Sequence, residues 1–300
     1  MKVLVTGASG LLGSRLVGEL LSKGYEVIAL HNRNPVPVRH ERLVKVRLDI
    51  ADGTLLEDLI LRVRPDVIVH AAAYTDVDGC ERDRVRAWRV NVGATRRIVR
   101  AARVVKSHLI YVSTDYVFDG EKGMYREEDT PNPINYYGLT KLVGEELVRA
   151  SDLLHTIVRP STIYGVGGSK KSFAEYVAEK LSRGERVYAL VDQYVSPTQN
   201  TLLAKAVAEI VEMRFMGTLH VAGERMNRYQ FAVKVAEALE LPAELIEKAS
   251  IKDMKHWVAK RPRDSSLDTS KARALLKTKF HDTNLAMELF RKEWLGGKGR

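Results

Sequence analysis

The sequence predicts an α/β protein built on a doubly wound parallel sheet, with a smaller, mostly helical lobe towards its C-terminus. Six short apolar runs in the first half of the chain alternate with stretches of helical periodicity. Strands that are apolar throughout and separated by helices are typical of a parallel sheet covered on both faces. After Pro160 the rhythm changes to longer helical stretches and an irregular polar segment.

The predicted elements follow the chain in order. The strands of the sheet are predicted at residues 3–5, 26–30, 45–48, 67–69, 109–112, 156–158 and 218–222. A helix is expected from about residue 172 to 183, an irregular stretch over 192–200, and helical pieces broken at Pro242 and Pro262. These patterns divide the chain into a dinucleotide-binding domain, residues 1–160 plus about 197–225, and a substrate-binding lobe, about 161–196 and 226–300.

Composition narrows the class of protein. Hydrophobic residues make up 45% of the 300 residues and charged residues 29%, which is ordinary for a globular chain. The single cysteine, Cys80, excludes an intrachain disulfide and favours a reducing compartment, and neither a signal peptide nor a membrane span is evident, so we expect a cytoplasmic protein. Scarce glutamine beside abundant Arg, Lys and Glu favours a thermophilic source.

The net charge of +10 is compatible with an anionic partner. Six arginines at helical spacing, residues 82, 86, 89, 96, 100 and 103, predict one basic helical face. Such a face could bind nucleic acid, but most are solvated or paired with acids, and the chain has no basic tail or recognised nucleic-acid module. We therefore expect a basic cleft for a phosphorylated small ligand, with no nucleic acid or membrane as partner.

Three glycines stand between the first strand and the first helix. Gly7 allows a tight turn, Gly10 lets the backbone approach a pyrophosphate, and Gly13 lets the helix pack closely on the strand. The alternative is an ordinary strand-to-helix turn, which needs only one glycine. In this context the loop predicts a Rossmann-type dinucleotide site at the helix N-terminus. Its predicted contacts are Gly7, Ser9, Gly10, Leu11 and Leu12.

The end of the second strand bears on cofactor choice. NAD-specific proteins usually carry an acidic residue there, whereas this chain has Arg33, which can pair with a 2′-phosphate. The alternative is a solvated surface arginine. The sequence thus favours NADP(H), with NAD(H) as the second choice. Asp49 and Ile50, after the third strand, are predicted to border the adenine, although such an aspartate is often only a loop residue.

Tyr137 and Lys141 are four residues apart and share one face of a predicted helix. A lysine beside a tyrosine is expected to lower the phenol pKa, which suits proton exchange with a carbonyl or alcohol. A surface pair would show the same spacing, and Tyr136 competes for the role, but its fourth neighbour, Thr140, carries no charge. The hydroxyl of Thr114 follows the fifth strand, where ligands bind in parallel sheets.

These motifs together resemble the extended short-chain dehydrogenases/reductases, and within them the dTDP-4-dehydrorhamnose reductase branch. The similar segments cover most of the chain: TGASGLLG (6–13), HAAAYTDVDGCE (70–81), VNVGAT (90–95), YVSTDYVFDG (111–120), YREEDTPNPINYYGLTK (125–141), DQYVSPT (192–198) and RPRDSSLD (261–268). The resemblance implies NADPH-dependent reduction of a 4-keto nucleoside-diphosphate sugar, with dTDP-4-dehydrorhamnose as the expected substrate and a homodimer as the expected assembly.

The resemblance also implies roles for matching residues. Thr114 would bind the substrate carbonyl with Asp115 beside it, Tyr137 would donate the proton, and Lys141 would hold the nicotinamide ribose. Ala71, Ala72 and Ala73 would line the cofactor, and Arg261 would face the phosphates of the sugar nucleotide. The implied substrate-binding residues are Thr75, Val77, Gln193, Thr198 and Arg261. No metal-ligand set is predicted.

Three positions depart from the branch's pattern, and two other functions remain open. Val195 replaces a usual glycine, Thr162 a frequent tryptophan near the sugar, and Arg15 a glutamate that some members use in a magnesium-bridged dimer. One alternative is a nucleotide-sugar epimerase or dehydratase with the same catalytic pair. The other is a non-catalytic, NADP-binding regulatory subunit similar to that of methionine adenosyltransferase, which also resembles the segments around residues 111–141.

Overall fold

The computed structural model describes residues 1–168 and 171–297. Its strands are β1 (Lys2–Thr6), β2 (Glu26–His31), β3 (Leu43–Arg47), β4 (Val67–His70), β5 (His108–Val112), β6 (His155–Arg159), β7 (Ser161–Tyr164), β8 (Val187–Leu190), β9 (Tyr194–Val195), β10 (Pro197–Gln199), β11 (Gly217–His220), β12 (Met226–Asn227) and β13 (Ile246–Ala249).

The α-helices of the described chain surround these strands. They are α1 (Gly13–Ser22), α2 (Gly53–Val63), α3 (Val77–Arg82), α4 (Arg84–Trp88), α5 (Ala94–Val105), α6 (Tyr136–Arg149), α7 (Phe173–Ser182), α8 (Asn200–Met213), α9 (Arg228–Leu239), α10 (Ser270–Leu275) and α11 (Thr283–Gly297). A π-helical turn, Arg89–Gly93, joins α4 to α5. Short 3₁₀ turns occupy Asp115–Val117, Ala243–Leu245 and Ile251–Asp253.

Seven of the described strands form one parallel sheet, which confirms the predicted fold class. Their order is β11-β6-β5-β4-β1-β2-β3, so the strand order reverses between β1 and β4. In a doubly wound sheet, the carboxyl ends of the strands at such a switch point form the ligand crevice. The predicted strands at residues 3–5, 26–30 and 67–69 lie at the centre of this arrangement.

Both faces of the sheet are covered by helices. Val3 and Val5 of β1 belong to the core beneath α1 and α8, whereas Leu4 between them packs in the opposite core with α2 and α5. Because successive side chains of a strand point to opposite faces, a strand buried on both sides must be apolar at every position. This explains the continuous apolar runs of the sequence.

The smaller lobe contains strands that the sequence did not predict. The stretch 192–200, expected to be irregular, contributes β9, which pairs antiparallel with β12, and β10, which pairs parallel with β7. The last 75 residues, expected to be helical, include β13, which pairs parallel with β8. These strands of two to four residues are too short for a periodic signal and depend on long-range partners.

The predicted helix at 172–183 is α7, whose N-terminus carries a Ser172–Glu175 capping box.

The prediction of a single basic helical face was wrong. Asp83 ends α3 and caps α4, and the π-helical turn shifts the register again, so the six arginines do not share one helix. Arg100 pairs with Glu57 of α2, while Arg86 and Arg89 line a cavity described below. Among the described residues, no helix is both long and apolar enough to cross a membrane.

Candidate active site

A cavity of about 770 Å³ lies along the carboxyl edge of the sheet and extends to the smaller lobe. Its size is that of a small-molecule or cofactor site. The residues predicted from the sequence that line it are Gly7, Ser9, Gly10, Leu11, Leu12, Arg33, Asp49, Ile50, Ala71, Ala72, Ala73, Thr75, Val77, Thr114, Asp115 and Tyr137. The structure thus brings most of the predicted cofactor and catalytic residues into one continuous space.

The glycine loop between β1 and α1 is shaped by two close approaches. Gly7 has φ +68°, and a Cβ there would lie 2.8 Å from the backbone nitrogen of Ala72. A Cβ on Gly13 would lie 2.1 Å from the Gly7 carbonyl oxygen, so only glycine lets α1 start so near the strand. Leu12, at the N-cap of α1, offers no side-chain hydrogen bond to the helix amides, which suits a ligand phosphate there.

A buried hydrogen-bond chain holds the loop that follows β4. Thr95 donates to the Asn91 carbonyl at 2.6 Å, so its hydroxyl accepts from Nε2–H of His70 at 3.0 Å. Nδ1 of His70 therefore accepts from the Thr6 hydroxyl at 2.8 Å, and Thr6 in turn accepts from the Ala72 amide at 3.1 Å. Burial, with a smaller effect of Lys141, lowers the pKa of His70 to about 3, so the ring is neutral.

Asn91, in the π-helical turn, connects this loop to the helix α6. Its Oδ1 accepts from the Tyr74 amide at 2.7 Å, and its Nδ2 donates to the Tyr74 carbonyl and to the Thr140 hydroxyl. Thr140 donates to the Tyr137 carbonyl at 2.8 Å. Single π-helical turns often occur at functional sites, and this one directs an amide side chain to the joint between two cavity walls.

The Tyr137 phenol faces the cavity beside Thr114, to which it is hydrogen-bonded. Burial raises the pKa of Tyr137, and the Thr114 hydroxyl only partly opposes this. The expectation of a lowered pKa was wrong. The Lys141 ammonium instead donates to the Val112 carbonyl at 2.7 Å and lies 4.1 Å from the centroid of the Tyr111 ring. Burial lowers the pKa of Lys141 to about 7, with Glu145 opposing.

Asp115 lies next to Thr114 with its carboxylate fully engaged. It accepts hydrogen bonds from Ser161 at 2.8 Å, Ser265 at 2.6 Å and Thr114 at 3.1 Å. Burial raises the pKa of Asp115, and the three hydroxyl groups lower it in turn. Because its oxygens are already taken up, the carboxylate fixes the orientation of the Thr114 hydroxyl and joins β7 to the segment around Ser265.

Three of the predicted substrate residues do not line the cavity. Thr198 is fully buried and donates to the Ser161 carbonyl at 2.7 Å. Arg261 forms a double hydrogen bond to Asp78 at 3.0 and 2.9 Å. Burial alone would raise the pKa of Asp78, but Arg261 and two backbone amides lower it to about 2. Gln193 is buried and accepts from Nε of Arg228 at 3.2 Å.

Arg228, the first residue of α9, is a cavity residue that sequence reasoning missed. It follows a helix-capping asparagine and belongs to no recognisable motif, so only the fold reveals its position. Three residues differ from those usual at their positions in the reductase branch that the sequence resembles. Thr162 lines the cavity with φ +41°, and Val195 is buried in β9. Arg15 pairs with Glu293 of α11 at 3.0 Å.

Comparison with known proteins connects this geometry to a family. The family described as the RmlD substrate binding domain matches residues 1–294. A structure described as a hypothetical dTDP-4-dehydrorhamnose reductase from Sulfolobus tokodaii is 45% identical, with a TM-score of 0.85, covering 95% of this chain and 98% of that one.

Two further relatives bear on cofactor and role. The dTDP-4-dehydrorhamnose reductase of Bacillus anthracis, solved with NADP, is 28% identical with a TM-score of 0.86, covering 97% of this chain and 99% of that one. The methionine adenosyltransferase 2 subunit beta of Bos taurus is 32% identical over 283 residues, covering 91% of this chain and 82% of the relative.

Proposed function

This chain belongs to the RmlD substrate binding domain family, and from that membership we propose that it is an NADPH-dependent reductase of 4-keto nucleoside-diphosphate sugars. The observation that carries the proposal is the position of Tyr137 and its partner Thr114 in the same cavity as the glycine loop. The reductase relatives support the reaction, and dTDP-4-dehydrorhamnose, reduced to dTDP-rhamnose, is the substrate we favour.

The residues that would hold the cofactor fit a dinucleotide. The close approach at Gly7 and the uncapped N-terminus of α1 suit a pyrophosphate, and the small side chains of residues 71–73 leave room beside it. Arg33 is exposed on the cavity wall, where its guanidinium can pair with a 2′-phosphate. NADPH, when bound, supplies the hydride that reduces the C4 carbonyl of the sugar.

Side chains of the protein would protonate and polarise the C4 oxygen of the sugar. The Tyr137 phenol is protonated at neutral pH, and it would give its proton to the C4 oxygen. The Thr114 hydroxyl, which donates to Asp115 in this structure, would turn its single proton to the same oxygen when the sugar binds and so polarise the carbonyl. Lys141 is buried in α6 and donates to the Val112 carbonyl at the end of β5, and its proposed role is the one that the family resemblance implies, to hold the nicotinamide ribose.

Two parts of the chain are proposed to bind the two ligands. Residues 1–160 with about 197–225 hold the dinucleotide, while about 161–196 and 226–300 hold the sugar nucleotide. The pairing of β11 with β6 in the main sheet and the position of Arg228 in the cavity support these boundaries. We place the reaction in the cytoplasm, with the protein as a homodimer.

The similarity to a methionine adenosyltransferase subunit favours a second candidate, an NADP-binding regulatory subunit. The test is to mix purified protein, NADPH and a panel of 4-keto nucleotide sugars, and to follow loss of the reduced cofactor together with the sugar product. The reductase consumes one NADPH per sugar reduced. An epimerase or dehydratase would alter the sugar without net NADPH loss, and a regulatory subunit would do neither but would alter the kinetics of a partner enzyme.

A further inference from the structure

Four arginines among the described residues line the cavity without an ion pair: Arg33, Arg86 and Arg89 from residues 1–160, and Arg228 from the smaller lobe. Arg228 lines the cavity together with Tyr116, Tyr137 and Thr162. Its Nε donates to Gln193, its guanidinium is hydrogen-bonded to Tyr116, and it lies 5.3 Å from the centroid of the Phe173 ring. Across residues 1–168 and 171–297, the ion pairs found do not include it.

Two other arginines of the same lobe are paired with carboxylates. Arg225, three residues earlier, pairs with Asp264 at 2.6 Å, and Arg261 pairs with Asp78 at 2.9 Å. Asp115 acts on Arg228 only at a distance, because its oxygens already accept from three hydroxyl groups. Arg228 is partly buried. A partly buried charge without a direct counterion carries a desolvation cost, and this burial lowers the pKa of Arg228.

Arg228 is also held in a fixed orientation. Nε2 of Gln193 donates to the Pro262 carbonyl at 3.4 Å, which turns its Oε1 towards the guanidinium of Arg228. The Arg228 amide donates to the Gln193 carbonyl at 3.1 Å. The Tyr116 ring, hydrogen-bonded to Arg228, lies edge-on to Tyr137 with 6.1 Å between centroids. The guanidinium is therefore oriented in advance, next to the proposed reaction centre.

We propose that Arg228 binds an oxyanion of the substrate, and that this residue, rather than Arg261, is the arginine that pairs with the ligand's negative charge. The inference rests on the proposed nucleotide-sugar function. A planar guanidinium can form two parallel charge-assisted hydrogen bonds to a phosphate or to a carboxylate. The oxyanion is therefore either a phosphate of the nucleoside diphosphate or a carboxylate on the sugar, and Gln193 is a positioning residue for it.

The test is calorimetric titration of the full-length protein with four probes: thymidine, thymidine diphosphate, dTDP-glucose and dTDP-glucuronate. Arg228→Gln is compared with the wild type and with Arg225→Gln, a matched control on the same segment whose partner lies outside the cavity lining. We expect Arg228→Gln to weaken binding of the anion-bearing probe about 10-fold to 150-fold, the usual effect of a hydrogen bond to a charged group. Arg228→Lys should restore part of it.

The pattern across probes identifies the source of the oxyanion. If Arg228 holds a phosphate, all three diphosphate probes weaken equally and thymidine is unaffected. If it holds a sugar carboxylate, only dTDP-glucuronate loses affinity. Either pattern supports the inference. Unchanged affinities in a folded Arg228→Gln protein overturn it while leaving the reductase function intact. A wild-type protein that binds none of the diphosphate probes refutes the proposed function, and the inference falls with it.

Discussion

Replacing Lys141 with methionine should remove a large pH dependence from the stability of the protein. The Lys141 side chain is buried, with only 2% of the residue exposed, and burial lowers its pKa from 10.5 to about 7. The folded state therefore binds fewer protons than the unfolded state between pH 7 and about 10.5. Stability contributed by this group rises with pH across that window, and its cost is greatest below pH 7.

The expected size follows from the pKa difference. A change from 10.5 to about 7 corresponds to about 5 kcal/mol of unfavourable free energy at acidic pH. Between pH 7 and pH 9.5, about 3 kcal/mol of this cost is relieved. Urea unfolding of the wild type and Lys141→Met at both pH values should show the wild type gaining about 3 kcal/mol relative to the variant.

Comparing the two pH values removes effects that do not depend on pH. Lys141→Met also leaves the Val112 carbonyl without its 2.7 Å hydrogen bond, but that loss is the same at pH 7 and pH 9.5. Lys205→Met, on the exposed side of α8, is the matched control. A stability difference between wild type and Lys141→Met that stays constant with pH would refute the lowered pKa of the buried Lys141 side chain.

Three further predictions concern single substitutions. Tyr137→Phe should lower kcat by about 10²–10⁴ with NADPH binding retained, and near wild-type turnover beside an inactive Tyr136→Phe would reverse the assignment. Arg33→Ala should raise the Kd for NADPH and leave that for NADH nearly unchanged; an unaltered preference in fluorescence titrations would argue against the 2′-phosphate contact. Glu145→Gln should lower the unfolding free energy by about 3–5 kcal/mol, because it leaves buried Arg159 without its 2.7 Å ion pair, and a smaller loss on urea unfolding would contradict that reading.

The features that could be predicted from the sequence are those determined by a few consecutive residues. The inner strands of the main sheet, such as β1 and β4, contain continuous apolar runs because both faces are covered, and the glycine loop is required by close backbone approaches at Gly7 and Gly13. Both signals are contained within a few consecutive residues. The short strands β9, β10, β12 and β13 exist only through pairing with distant segments, and so the sequence did not predict them.

The partners of the charged side chains at the site could not be predicted either, because they come from distant parts of the chain. The spacing of Tyr137 and Lys141 indicated a shared helix face, but not that the ammonium would turn to the Val112 carbonyl. Arg261 lies in a recognisable motif, yet its carboxylate partner, Asp78, is 183 residues away. Arg228 lies in no motif and reaches the cavity only because α9 begins there.

The most direct test of the proposed hydride transfer uses NADPH with both hydrogens at nicotinamide C4 replaced by deuterium. The purified protein is incubated with this cofactor and dTDP-4-dehydrorhamnose, and the product is analysed by mass spectrometry and NMR. We predict one deuterium at C4 of the sugar, formed at a rate that falls sharply in Tyr137→Phe. A product without deuterium at C4, or no product from any 4-keto nucleotide sugar while NADPH remains bound, would contradict it.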